Sequence, residues 1–125
     1  MSAIIDNDGN IELVQGDSLT LYVDDIPTDE NYEVYFSIYD LNGNTVGDEI
    51  MVESNYQSTI ILEIPSGLTD NLVVTAGIDG TEEYYYGIKI CLPSTGYEDT
   101  LCIGNSDIGD LNTITVHPKK AEGRK

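Results

Sequence analysis

Basic side chains are almost missing from this chain. Its first 118 residues hold one, Lys89, against 22 carboxylates, which leaves that stretch at −21; the segment 119–125 brings the whole chain to −18. A surface so one-sided repels bare nucleic acid and anionic membranes, and it attracts basic proteins or cations. Tryptophan is absent, phenylalanine and histidine occur once each, and cysteine occurs twice. A lone histidine, His117, set beside the C-terminal segment, leaves a hydrolytic triad to be built from terminal parts. Two cysteines without His or Cys companions at zinc spacing do not make a structural zinc site. No glycine-rich phosphate loop runs from a strand into a helix. Among so many carboxylates, two that lie close are uninformative about glycoside hydrolysis. The expectation is a non-enzymatic protein with no cofactor.

Long apolar runs are missing too. Nothing approaches the roughly 20 residues of a membrane helix, and Met1-Ser2-Ala3-Ile4-Ile5-Asp6 lacks the basic-then-apolar layout of a secretion leader. A cytoplasmic origin is therefore expected, with departure only as part of a particle. Cys91 and Cys102 flank a loop and could face each other across a hairpin, although a cytoplasm favours separate reduced thiols.

What is present is alternation of period two, rich in Val, Ile, Thr and Tyr and punctuated by turn residues. Strands are expected at 11–14 (extended backward through Ile4-Ile5 past Asp8-Gly9), 18–23, 33–39, 45–52, 58–64, 71–78, 84–91, 100–103 and 112–116. Asn42-Gly43 reads as a type I′ hairpin turn. Val34, Phe36 and Ile38 should face inward; Leu19, Leu21 and Val23 share one face of their strand, as do Ile60, Leu62 and Ile64, and Tyr84, Tyr86, Ile88 and Ile90. Seven to nine short strands with hardly a helix signal give an all-β antiparallel sandwich. It forms one domain over residues 1–117, followed by a flexible basic tail, 118–125. The tail reads as a frayed terminus or as a tether for an acidic surface, a neighbouring copy included.

The residues that bear on binding are acidic loops and tyrosines. Asp6, Asp8, Asn10 and Glu12 place oxygen ligands at alternate positions, which suits calcium. Their glycine comes too early for a helix-flanked calcium loop, and an Asp-Gly turn between strands is the plainer reading. Asp24-Asp25, Asp29-Glu30, Glu82-Glu83 and Glu98-Asp99 mark further acidic loops that could converge at one end of a sandwich. Tyr35, Tyr39 and Tyr22 suggest an outward aromatic row, and Tyr84-Tyr85-Tyr86 turns Tyr85 away from its neighbours. Such tyrosines stabilise sheets, meet protein partners or stack on sugars.

Several segments occur in a telling order: Gln15-Gly16-Asp17-Ser18-Leu19, Val34-Tyr35-Phe36-Ser37-Ile38 with its Asn-Gly turn, and Tyr84-Tyr85-Tyr86-Gly87-Ile88-Lys89-Ile90. Thr100-Leu101-Cys102-Ile103-Gly104 and Ile114-Thr115-Val116 follow. The series resembles the small immunoglobulin-like virion domains of tailed phages, such as the amino-terminal domain of the baseplate upper protein family. Those domains show a Gly-Asp-Thr start, a Tyr-x-Tyr-Asp-Ile-x strand and a Thr-Leu-x-x-Gly segment. The likeness spans residues 11–117. Gly87 stands where that family often has aspartate, 105–111 is an extra loop, and the larger fibre-forming or receptor-binding region of baseplate proteins does not follow. The resemblance implies an immunoglobulin-like sandwich acting as a head, tail or baseplate component through protein contacts, in the virion or in the cytoplasm of an infected bacterial cell. It implies no catalytic residues. The charge leaves open a second reading, an acidic nucleic-acid mimic that inhibits a host nuclease or defence complex, and a third, a cation- or carbohydrate-binding module. The expected partner is a protein with a basic surface, with self-assembly into a homo-oligomer a further option.

Overall fold

Alternating apolar residues sort the chain into two facing sheets in the computed structural model, which describes residues 4–75, 77, 80–101 and 111–121. The elements are β1 (Ile4–Ile5), β2 (Ile11–Val14), β3 (Leu19–Val23), β4 (Glu33–Tyr39), β5 (Ile50–Glu53), β6 (Ile60–Ile64), a single helical turn α1 (Ser66–Thr69), β7 (Glu82–Leu92), β8 (Tyr97–Leu101) and β9 (Asn112–His117). The large sheet runs β1-β2-β9-β7-β4-β5 with β8 added to β7, and the small sheet is β3-β6. With the β3-β6 pair set apart from the large sheet, the arrangement is a sandwich-like all-β fold. Among the described residues the strand pairings are antiparallel except one: β2 runs parallel to β9, from Ile11 opposite Ile114 to Val14 opposite His117.

The core is the set of inward residues that period two demands. Val34, Phe36 and Ile38 of β4 and Tyr84, Tyr86, Ile88 and Ile90 of β7 are buried against Leu19, Leu21, Val23, Ile60, Leu62 and Ile64 of the small sheet. Phe36 and Tyr86 pack with ring centroids 5.4 Å apart. The Tyr84 hydroxyl donates to the Val73 carbonyl at 2.6 Å, a tyrosine corner that fastens the β6–β7 connection to the start of β7. Burial and, secondarily, Glu82 push its phenol up.

Several expectations need correction. Residues 71–75 and 77 form no strand: Pro65 opens α1, and the arm that follows is gripped at the Val73 carbonyl by Tyr84. The expected 45–52 strand is shortened to β5. Thr45 makes only an isolated bridge to Tyr39, and Gly47, at φ 73, lies where a Cβ would fall 2.1 Å from Leu68 Cδ1. The Asn42-Gly43 hairpin exists, but its turn is not type I′, since Gly43 alone of the pair has positive φ. Asp40 Oδ1 instead accepts from the amides of Asn42 and Asn44 at 2.9 and 3.0 Å, and the Asp40 amide donates to the Asn44 carbonyl. The strand expected at 100–103 begins earlier, at Tyr97; residues 102 and 103 lie outside the described set, as does Cys102. Of the tail, Lys119 is docked on the domain, its ammonium 2.7 Å from Asp70; residues 122–125 are outside the described set.

One element carries an unexpected arrangement. A single edge of β7 is shared by two strands: β9 pairs with it from Glu82 to Tyr86, and β8 from Ile88 to Leu92. Leu101 lies opposite Ile88 and Asn112 opposite Tyr86. β8 and β9 are therefore two halves of one strand position, parted at Gly87.

Candidate functional site

Register places the outward residues of the large sheet in rows. Thr113, Tyr85 and Tyr39 share one row across β9, β7 and β4. Thr100, Lys89, Tyr35 and Met51 share another across β8, β7, β4 and β5, and Glu98, Cys91, Glu33 and Glu53 a third. Between the first two rows lie Gly87 and Ser37. A Cβ at Gly87 would meet nothing within 4 Å, so the sheet face is open there. The result is a band of half-buried tyrosines bordered by carboxylates.

Two hollows occupy this face. The larger, of about 530 Å³, is lined by Glu33, Tyr35, Glu49, Lys89, Glu98 and Tyr97 among others. The smaller, of about 300 Å³, shares Tyr35, Glu49 and Lys89 and extends past Gly87 to Tyr39. Their polar groups are fixed by neighbours. The Tyr35 hydroxyl donates to Glu33 at 2.8 Å, and that bond is the main cause of the raised pKa of the phenol. Ser37 Oγ donates to Glu49 at 2.6 Å, and Lys89 Nζ lies 3.2 Å from Glu98. The bond to Glu98 raises the lysine, whereas burial, then Glu98, raises the Cys91 thiol. A thiol held protonated is a poor nucleophile. The chemistry on offer is recognition: aromatic faces, hydroxyls and carboxylates around one ammonium.

The acidic segments divide between the two ends of the sandwich, and two of the four expected loops, Glu82-Glu83 and Glu98-Asp99, lie within strands. Asp24, Asp25, Asp29 and Glu30 follow β3 and precede β4, and Glu98 and Asp99 open β8 opposite the end of β7. These six stand at the end where the larger hollow opens. Tyr32 binds them together: its ring meets Tyr97 edge-on at 6.3 Å and its hydroxyl reaches Asp29 at 3.4 Å. Burial, then Asp29, pushes the Tyr32 phenol up; burial, then Asp99, does the same to Tyr97. Asp24 accepts from Thr59 Oγ1 at 2.8 Å. Glu82 and Glu83 start β7 at the opposite end, where Glu82 accepts from Thr75.

The three-tyrosine row is not formed. Tyr35 and Tyr39 lie on β4, but Tyr22 faces outward from the small sheet, opposite Ile61. Tyr85, not Tyr22, completes a pair with Tyr39. Ser37 reaches this face by the alternation of β4 that also turns Tyr35 and Tyr39 outward, whereas Tyr97 and Glu49 escaped sequence reasoning, since only the β7–β8 hairpin and the β4–β5 fold-back bring them here.

The residues considered for calcium are engaged in a turn. Asp6 Oδ1 accepts from the amides of Asp8 and Asn10, each at 2.9 Å, and the Asn10 amide is the chief reason its carboxyl lies below the usual range. Asn10 Oδ1 accepts from Thr113, and Glu12 faces His117 at 3.1 Å. The Asp8 and Gly9 carbonyls accept from Asn112 Nδ2 at 3.0 Å and the Tyr86 hydroxyl at 2.5 Å. The Asp6 and Asp40 turns are the same device, and the Asp-x-(Asp/Asn)-Gly-Asn pattern was the sequence signal for it. Among the described residues no three or more His, Cys, Asp or Glu side chains gather as a metal-ligand group.

No helix of the described residues is long and apolar enough to cross a membrane. The chain matches no family model and no curated protein.

Proposed function

We propose that this chain is a non-enzymatic structural or accessory subunit of a tailed-phage particle, an immunoglobulin-like sandwich that joins its neighbours through the outer face of the large sheet. The observation that supports this most is the band of half-buried Tyr35, Tyr39 and Tyr85 with exposed Met51 beside it, laid on adjacent strands of one outer face. Tyrosine and methionine are enriched at protein interfaces because they bury much area at low entropic cost. A rigid sheet presents them without rearrangement. The sequence resemblance supplies the particle.

The test is mass spectrometry of purified particles. Stoichiometric copies of the chain are expected, and detection only in the lysate of infected cells would sink the reading. A second reading has its own support. The row Glu98, Glu33 and Glu53 continues into the acidic loops at the same end, and aligned carboxylates can substitute for phosphates in a basic groove. As an inhibitor of a host nuclease or defence complex, the chain would be captured by that enzyme, and nucleic acid would compete it off.

A further inference from the structure

The larger hollow on the tyrosine face holds three carboxylates, Glu33, Glu49 and Glu98, and one ammonium, Lys89. It is two positive charges short of balance, and the Tyr35 and Tyr97 rings in its lining are a chemistry that attracts cations. The chain is just as unbalanced along its length. Apart from Lys89, its cations are Lys119, Lys120, Arg124 and Lys125. Lys119 is held by Asp70, and Lys120 is exposed. The complement of the hollow is thus present within the same sequence.

It cannot be supplied by the same molecule. β9 leaves the sheet beside Glu82, with Val116 opposite that residue, and Lys119 is anchored there against Asp70 and Gly16. The hollow lies at the other end of β7, beside Lys89 and Cys91. From Glu82 to Cys91 the strand covers about 30 Å at about 3.3 Å per residue. From Lys119 to Lys125 a fully extended chain reaches at most about 21 Å. The segment is therefore too short to reach its own hollow, and only a neighbouring copy can bring it there.

We propose that the hollow formed by Glu33, Tyr35, Glu49 and Glu98 receives the basic segment Lys120–Lys125 of a second copy, so that copies join head to tail. Such a contact is heterologous: each copy gives a tail and accepts one, and repetition closes a ring or extends a filament. Both forms suit a particle built from repeated subunits. The proposal rests on the reading of this face as a protein-contact surface, and it names the occupant.

The experiment is sedimentation of the full chain over a range of concentrations, with two variants that leave the core untouched. One neutralises the tail (Lys120→Ser, Arg124→Ser and Lys125→Ser); the other neutralises the hollow (Glu49→Gln and Glu98→Gln). Thermal melting confirms that both fold. The parent chain is expected to form dimers and longer species as concentration rises, with each variant alone losing roughly tenfold or more in association constant. An equimolar mixture of the two should recover a dimer and stop at two, because it pairs one intact tail with one intact hollow. Zero-length carbodiimide coupling should join Lys120 or Lys125 to Glu33, Glu49 or Glu98 in the dimer. A strictly monomeric parent overturns the proposal, as does association that survives tail neutralisation or coupling confined to other carboxylates. Particle composition is read separately. Stoichiometric copies in particles with a monomeric free chain would leave the structural role standing and remove only this inference.

Discussion

Gly47 shows how one residue can interrupt a strand. Its φ of 73 lies in the left-handed region, and Leu68 Cδ1 occupies the space where a Cβ would project. Gly47→Ala should therefore lose at least the 1–2 kcal/mol or so of a left-handed L-residue, with any displacement of Leu68 added; denaturant unfolding measures it. Gly87→Ala is the contrast. Gly87 has no positive φ and open space around its Cβ position, so stability should stay within about 0.5 kcal/mol while the smaller hollow fills. Tyr84 offers a third test. Tyr84→Phe keeps the ring in the core and removes only the bond to the Val73 carbonyl. A loss of about 1 kcal/mol is expected, together with faster amide exchange in 71–75, the arm that the bond fastens. An unchanged exchange pattern there would mean that the corner does not hold the arm.

At the level of elements, β7 organises the sheet, and its divided edge can be tested by deletion. Leu101 faces Ile88 and Asn112 faces Tyr86. Removing residues 102–110 would bring Leu111 opposite Gly87 and run β8 directly into β9 with no shift of register. Inward and outward faces would also continue to alternate, with Leu101 in, Leu111 out and Asn112 in. The shortened chain should fold, and its melting temperature should equal or exceed that of the parent, because a shorter loop lowers the closure entropy. Failure to fold would show that the two half-strands are not one interrupted strand. The sequence made the core faces legible, because Val34, Phe36, Ile38, Tyr84, Tyr86, Ile88 and Ile90 alternate without a break and burial enforces that alternation. The fate of 71–75 was not legible, since its apolar residues suit either a strand or an arm, and the choice was made by a hydroxyl eleven residues further on. The hollow was only half legible. Tyr35 and Tyr39 announced themselves by alternation, but Glu49 and Tyr97 reach the face through a fold-back and a hairpin whose register no local pattern fixes.

For the whole molecule, charge and tyrosine ionisation govern how stability responds to solution conditions. Two lysine–carboxylate ion pairs, Lys89–Glu98 and Lys119–Asp70, stand among the described residues against a formal charge of −18, so self-repulsion opposes the folded state. Raising monovalent salt from about 0.01 to 0.15 M shortens the screening length from about 30 to 8 Å and should raise the melting temperature; a fall would mean that the few pairs outweigh the repulsion. Alkali acts in the opposite direction. Tyr86 is pushed up mainly by burial, as are Tyr32, Tyr84 and Tyr97, and Tyr35 mainly by its bond to Glu33. In the unfolded chain these phenols titrate near the ordinary value of about 10. Above that pH the native state holds more protons than the unfolded state, so the slope of unfolding free energy with pH is negative. The stabilisation is complete below about pH 10 and is lost as pH rises through the higher native values. Each phenolate formed also adds a negative charge to a body that already carries too many. Phenolate absorbance followed on the native chain should therefore lag behind that of the denaturant-unfolded chain, and the lag should collapse in a single step with the loss of strand circular dichroism. Coincident titration curves would show that the phenols of Tyr84 and Tyr86 are open to solvent, and that the clamps on Val73 and on the Asp6 turn do not form in solution.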